Sequence, residues 1–213
     1  ELWANLASGT DSIREVPTDR WDLDMYYDPD GTTPGKAYAK WGGFLRDVDT
    51  FDPLFFNISP GEADFLDPQI RLFLQTAWHA LENSGYTRAA LSEENVGVYV
   101  GVMYGMYELL RGQIKGAEVP VPSSFAAIAN RVSYFLDAHG PSMAVDTMCS
   151  SSLTTIHLGC ESIRRGESDV VIAGGVNVTV HPNKLILLSQ GKFASTDGRC
   201  RSFGAGGDGY VPG

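Results

Sequence analysis

Apolar positions recur with a helical period between Asp67 and Gly85. Within DFLDPQIRLFLQTAWHALENSGY, Ile70, Phe73, Leu74, Ala77, Trp78 and Leu81 fall on one stripe. Asp67 stands as N-cap, Pro68 at the first helical position and Gly85 as the stop, so the pattern predicts an amphipathic helix. A different rhythm follows. NVGVYVGVM, residues 95–103, is apolar throughout, as a strand covered on both faces should be. A helix around Ser123 to Phe135 comes after the proline-bearing loop AEVPVPSS, and Gly140-Pro141 introduces a strand over Ser142 to Thr147. From Ser150 to Arg165, Leu153, Ile156, Cys160 and Ile163 return at helical spacing, with Gly166 as cap. DVVIAGG, 169–175, reads as a strand; VNVTV and an apolar helix near Asn183 to Leu188 follow. The first fifty residues, rich in turn formers and aromatics, read as a long irregular surface segment with a short strand around Lys40 to Leu45.

Strand, helix and strand in close succession make a βαβ unit, and that implies an α/β fold with a mainly parallel sheet. No repeat, low-complexity tract or linker interrupts the chain. Both ends read as cut: the chain opens without a first core strand and stops in GGDGYVPG.

Composition narrows the class. The 213 residues are 43% hydrophobic and 20% charged, enough for one large domain or a sizeable part of one. No apolar run approaches the ~20 residues that span a bilayer, and ELWANLASGTDS lacks the basic and apolar regions of a signal peptide. The expectation is a cytosolic protein with no membrane segment. A net charge of -10 argues against non-specific nucleic-acid binding. From Arg164 onward, however, six basic residues face four acidic ones, so an acidic partner or simply solvent could meet that face. The cysteines are Cys149, Cys160 and Cys200, an odd number without a C-x-x-C pair. They fit neither a disulfide framework nor a zinc site, and no metal is expected.

One cysteine stands apart. In VDTMCSSSL, Cys149 lies between the strand ending near Thr147 and the helix beginning near Ser150. The thiolate is the reactive form of cysteine. A helix N-terminus favours negative charge through its dipole and its N–H groups without intrahelical partners. Small Ser150, Ser151 and Ser152 keep that first turn open to a reacting carbonyl, and the preceding strand sets the thiol at the carboxyl edge of the sheet, where open α/β folds hold ligands. The arrangement suits a nucleophile that forms a thioester, with backbone amides as oxyanion site. The competing reading is a buried structural cysteine. No histidine partner declares itself. His157 lies ~12 Å up the same helix, His79 sits beside the apolar stripe of the first helix, and His139 and His181 flank turns. GAGGDG, 204–209, matches G-x-G-x-x-G but has no strand before it and no helix after it, which removes the dinucleotide reading.

With these residues in place, VDTMCSSSL resembles the nucleophile motif of β-ketoacyl synthases, in particular ketosynthase domains of modular type I polyketide synthases. FDPLFFNISPGEADFLDPQIRLFLQTAWHALENSGY (51–86), ANRVSYFLDAHGP (129–141) and IAGGVNVTVHPNKLILLSQGKFASTDGRCRSFGAGGDGYVPG (172–213) agree in the family's order. GVMYG, HPNKLILLSQGKFAS and GDGYVPG are most similar to synthases served by separate acyltransferases. The resemblance implies a thiolase-like fold of layered α-β-α-β-α architecture, of which residues 1–213 form the N-terminal half of a homodimeric ketosynthase domain. It implies that Cys149 accepts an acyl chain from the phosphopantetheine arm of an acyl carrier protein, with no cofactor bound by the chain itself. Decarboxylative condensation with a malonyl-type extender then uses histidines and a lysine outside these residues. A gatekeeper that transfers acyl chains without condensing is the alternative. By position in the motifs, Met148 and Ser150 adjoin the nucleophile, and Met148 stands where many relatives carry alanine. Ser123 approaches a partner subunit's pocket, Leu187 and Leu188 line the acyl channel, and Arg164, Arg199 and Arg201 meet an acidic carrier. The other domains of a synthase module are further expected partners.

Overall fold

The computed structural model describes residues 2–112 and 124–213. They form two units, Glu1–Arg46 with Thr179–Gly213, and Asp47–Val178. The first unit opens with α1 (Leu2–Ser8), β1 (Arg14–Glu15), α2 (Leu23–Tyr26) and β2 (Trp41–Gly42). The second holds α3 (Pro60–Ala63), α4 (Pro68–Ser84), α5 (Arg88–Leu91), β3 (Val96–Gly101), α6 (Tyr107–Gly112), α7 (Ala126–Leu136), β4 (Ser142–Val145), α8 (Ser151–Arg164) and β5 (Val170–Gly175). Finally, α9 (Asn183–Gln190) belongs to the first unit again.

In the second unit β3 lies between β4 and β5 and runs parallel to both. Val98 stands opposite Ser142 and Ile172, and Gly101 opposite Val145 and Gly175. The chain therefore travels from β4 through α8 to β5 with β3 between them, the parallel unit that the patterning predicts. Central β3 is buried at every position, whereas β4 and β5 are half-buried along most of their length.

Alternation along β3 decides what each face of the sheet can accept. Val96, Val98 and Val100 join Ile128, Ala129 and Val132 of α7 and Ile70, Phe73, Leu74, Ala77 and Leu81 of α4 in one apolar core. Phe51, Phe55, Phe56, Trp78 and Phe135 extend it as an aromatic cluster. The other face of β3 presents Gly97, Tyr99 and Gly101. There α8 comes so close that a Cβ on Gly101 would stand 2.7 Å from the backbone of Ser151 and Ser152.

Helix α4 follows its sequence pattern. The Asp67 carboxylate accepts the Gln69 N–H at 2.8 Å, Pro68 occupies the first turn, and Gly85 ends the helix in the left-handed region at φ 79. Helix α8 departs from its pattern. An apolar stripe ordinarily marks the face that a helix buries, yet Leu153 is 71% exposed and Ile156 and Ile163 are each 49% exposed. The buried face is Ser151, Thr155, Gly159 and Ser162. The reason is distance: a Cβ on Gly159 would lie 2.7 Å from Val171 of β5, and only small side chains fit so near a sheet.

In the first unit the expected strand shrinks to Trp41–Gly42, which pairs antiparallel with Arg14–Glu15. Helix α1, carrying exposed Leu2, Trp3 and Leu6, forms where the composition suggests an irregular segment. The short helices α2, α3, α5 and α6 likewise carry no clear period. Val16, Ala37 and Leu185 make one small core, and Ala39, Leu188 and Ala194 another. Lys184 is buried, with Nζ donating to Gly213 O at 2.9 Å and Thr179 Oγ1 at 3.2 Å; burial pushes its pKa down to about 8. Residues 204–206 make a bend and a turn and 207–209 are irregular, so the glycine-rich stretch opens no helix. Among the described residues no helix is long and apolar enough to cross a membrane.

Candidate active site

Strands β3, β4 and β5 end side by side at Gly101, Val145 and Gly175. Helix α8 starts at that edge. The chain reaches it through Asp146 and Thr147, a left-handed Met148 at φ 59, and a 3₁₀ turn over Met148–Ser150 that contains Cys149. Left-handed backbone costs a non-glycine residue roughly 1–2 kcal/mol, so something must hold it. Side-chain oxygens do. Asp146 Oδ1 accepts the Met148 N–H at 2.8 Å. Ser151 Oγ donates to Met148 O at 2.6 Å and accepts the Thr147 N–H at 3.0 Å. Ser150 Oγ donates to Thr147 O at 2.8 Å and stands 2.9 Å from Thr147 Oγ1, which in turn lies 3.0 Å from Thr154 Oγ1.

The serines thus serve the turn more than they open space. Ser150 and Ser151 hold the turn, and Ser152 fits beneath the sheet edge because Gly175 has no Cβ; one built there would fall 2.1 Å from Ser152 Oγ. Thr155, one turn on, donates to Gly174 O at 3.0 Å. The result is an exposed Cys149 thiol at the start of a fourteen-residue helix, over a sheet edge that glycines keep low. Met148, 62% exposed beside it, is not a core residue. Cys160 and Cys200 are also exposed but differently placed: Cys160 lies midway along α8, and Cys200 Sγ accepts the Val211 N–H at 3.1 Å in a loop.

Of the other residues singled out from the sequence, Met148 and Ser150 flank Cys149 in the turn. Ser123 lies outside the described residues. Leu187 and Leu188 belong to α9 in the other unit, where Leu187 is exposed and Leu188 is packed with Ala39 and Ala194. The arginines already have carboxylate partners. Arg164 Nη1 lies 2.6 Å from Glu161 Oε1, and that hydrogen bond lowers the glutamate's pKa. Arg199 Nη2 lies 2.6 Å from Asp11 Oδ2. Arg201 grips Asp197 with both amino nitrogens, at 3.1 and 2.5 Å, and holds its pKa down to about 2. Sequence reasoning missed Asp146 and Thr147 as site residues and gave Ser151 only the part of a small residue in an open turn, whereas its hydroxyl bonds the turn together. Their signal was present: an acid two positions before Met148 and hydroxyls three to four residues apart are the spacings of side-chain-capped turns.

The family model described as Beta-ketoacyl synthase, N-terminal domain, matches residues 1–213. The chain is 56% identical over 222 residues to Polyketide synthase PksL of Bacillus subtilis, covering all of this chain and 5% of that protein. It is 55% identical over 213 residues to Polyketide synthase ThaG of Burkholderia thailandensis, covering 99% of this chain and 4% of that protein. Among solved structures it is similar to the oxazolomycin ketosynthase domain OzmH KS7 of Streptomyces albus, with 59% identity and a TM-score of 0.94. It also resembles the ketosynthase from module 6 of the bacillaene synthase of Bacillus subtilis, with 40% identity and a TM-score of 0.87. Those matches cover 99% of this chain but only 37% and 34% of the solved ones. The chain spans a small part of the curated relatives' length and about a third of the solved ketosynthases.

Proposed function

Because the chain belongs to the β-ketoacyl synthase family through its N-terminal domain, we propose that it carries the acylation half of a polyketide ketosynthase, with Cys149 as nucleophile. The single observation that carries this reading is the placement of Cys149: an exposed thiol at the start of α8, beside the carboxyl ends of three parallel strands. The thiolate attacks the carbonyl carbon of an acyl thioester on a carrier's phosphopantetheine arm. Negative charge then develops on the carbonyl oxygen, and N–H groups at the start of α8 stabilise it. The pantetheine thiolate leaves and takes a proton, and the acyl group remains on Cys149. A malonyl-type extender on a second carrier loses carbon dioxide, and its carbanion attacks the acyl carbonyl carbon, forming the carbon–carbon bond and displacing the Cys149 thiolate. Histidines and a lysine beyond these residues serve that step.

The reading makes the whole protein a transferase of polyketide biosynthesis, homodimeric and cytoplasmic, working beside the other domains of its module. The high identity to PksL and ThaG supports a synthase of the kind supplied by separate acyltransferases. Met148, exposed next to the thiol, shapes the pocket for the acyl chain. Arg164, Arg199 and Arg201 meet the acidic carrier, exchanging solvent-exposed ion pairs that individually contribute little.

The test uses the complete synthase chain. Incubation with an acyl thioester should place the acyl mass on the peptide containing Cys149, and addition of a malonyl-loaded carrier should yield the condensed β-ketoacyl product. Cys149→Ala should abolish both. An adduct on Cys160 or Cys200 with none on Cys149 would overturn the assignment. Acyl transfer without any condensed product would leave the nucleophile and remove condensation.

A further inference from the structure

Met148, immediately before the proposed nucleophile, has both of its own backbone polar groups tied to side chains. Its N–H donates to Asp146 Oδ1 at 2.8 Å, and its C=O accepts from Ser151 Oγ at 2.6 Å. That C=O and the Cys149 N–H belong to one planar peptide unit, and in a trans unit they point opposite ways. Whatever fixes the direction of the Met148 carbonyl therefore fixes the direction of the Cys149 amide and the place of the Cα from which the thiol side chain departs. Ser151 is itself buried, its hydroxyl also accepts the Thr147 N–H at 3.0 Å, and its backbone lies against Gly101. The fixed point is therefore rigid on the sheet side.

We propose that Asp146 and Ser151 are positioning residues: together they clamp Met148 in its left-handed conformation and so aim both the Cys149 thiol and the Cys149 N–H outward from the sheet edge. The proposal rests on the reading of Cys149 as nucleophile for its functional meaning, though not for its geometry. Neither residue touches the reacting atoms. Without the Ser151 hydroxyl the Thr147 N–H loses its partner and the Met148 carbonyl keeps only the backbone N–H of Ser151. The turn then relaxes toward ordinary right-handed or extended backbone, and the thiol swings from its aim. A glycine at 148 removes the reason for relaxing, because glycine adopts positive φ without steric cost.

The experiment measures alkylation of Cys149 by iodoacetamide in the complete synthase chain, followed by peptide mass mapping. This small probe needs neither an acyl pocket nor a carrier. Ser151→Ala should slow alkylation about tenfold or more, the factor that corresponds to ~1.4 kcal/mol. Asp146→Ala should act in the same direction. Ser151→Ala combined with Met148→Gly should recover most of the lost rate, at a melting temperature no higher than that of Ser151→Ala alone. Recovery is the signature that a purely structural serine would not produce. Ser151→Ala reacting at the wild-type rate would overturn the clamp, and so would slowing that Met148→Gly leaves unchanged. If Ser151→Ala does not fold, the same comparison is made with Asp146→Ala. Should the clamp effects appear while acyl groups attach elsewhere in the wild type, the nucleophile reading fails and the clamp stands.

Discussion

Helices α4 and α8 are both amphipathic in sequence, both lie in the second unit, and they bury opposite kinds of surface. Helix α4 buries Ile70, Phe73, Leu74, Ala77 and Leu81. It can do so because α7 and the valine face of β3 leave room for large side chains. Helix α8 buries Ser151, Thr155, Gly159 and Ser162 and leaves Leu153 and Ile156 exposed. Its sheet face carries Gly101 on β3 and Val171, Ala173 and Gly175 on β5, and the approach is so close at Gly101, Gly159 and Gly175 that a Cβ at any of them would clash. Hydrophobicity stabilises a packed face only where the opposing surface leaves volume for it. Where a thiol must stand low over the ends of three strands, proximity takes precedence over apolar area. The apolar stripe of α8 then faces away from the three-stranded sheet on which the helix packs.

The comparison can be broken most forcefully on the α4 side. Leu74→Ala should cost about 2–5 kcal/mol, since it empties a fully packed position, and urea unfolding would register it. A loss below ~1 kcal/mol would mean that this face is not the core. Next in size, Gly159→Val should cost about 1–3 kcal/mol through overpacking against Val171, although it adds apolar surface to a helix. A neutral or stabilising result would show that α8 has slack above the sheet. The smallest effect belongs to Leu153→Gln: within residues 1–213 it should change unfolding by no more than about 0.5 kcal/mol. It should also lower concentration-dependent light scattering, because it interrupts an exposed apolar patch. A cost like that of Leu74→Ala would mean that Leu153 is buried against another surface.

The positions of these helices were legible because their signals are local. Asp67, Pro68 and Gly85 mark α4 to the residue, and Gly166, in left-handed conformation at φ 71, follows α8 as expected. The full burial of β3 followed from its unbroken apolar run. Helix α1 was not legible, since it carries no buried residue and hence no period to read. The ion pairs of Arg164 and Arg201 are within one helical turn or loop and could have been foreseen from spacing. That of Arg199 with Asp11 joins distant parts of the chain and could not.

For the site, sequence alone placed Cys149 and its neighbours: a strand, a cysteine and a helix start must come together when they are contiguous. Tertiary structure decided the rest. The left-handed Met148, the hydroxyls of Ser150 and Ser151 turned back into the turn, and the small buried face of α8 all depend on Gly101 and Gly175. Those glycines are remote in sequence from Cys149, but the parallel register of β3 and β5 sets them beside the start of α8. A residue's local pattern records what it prefers. Only the surface that folding places opposite it records how much space it is allowed.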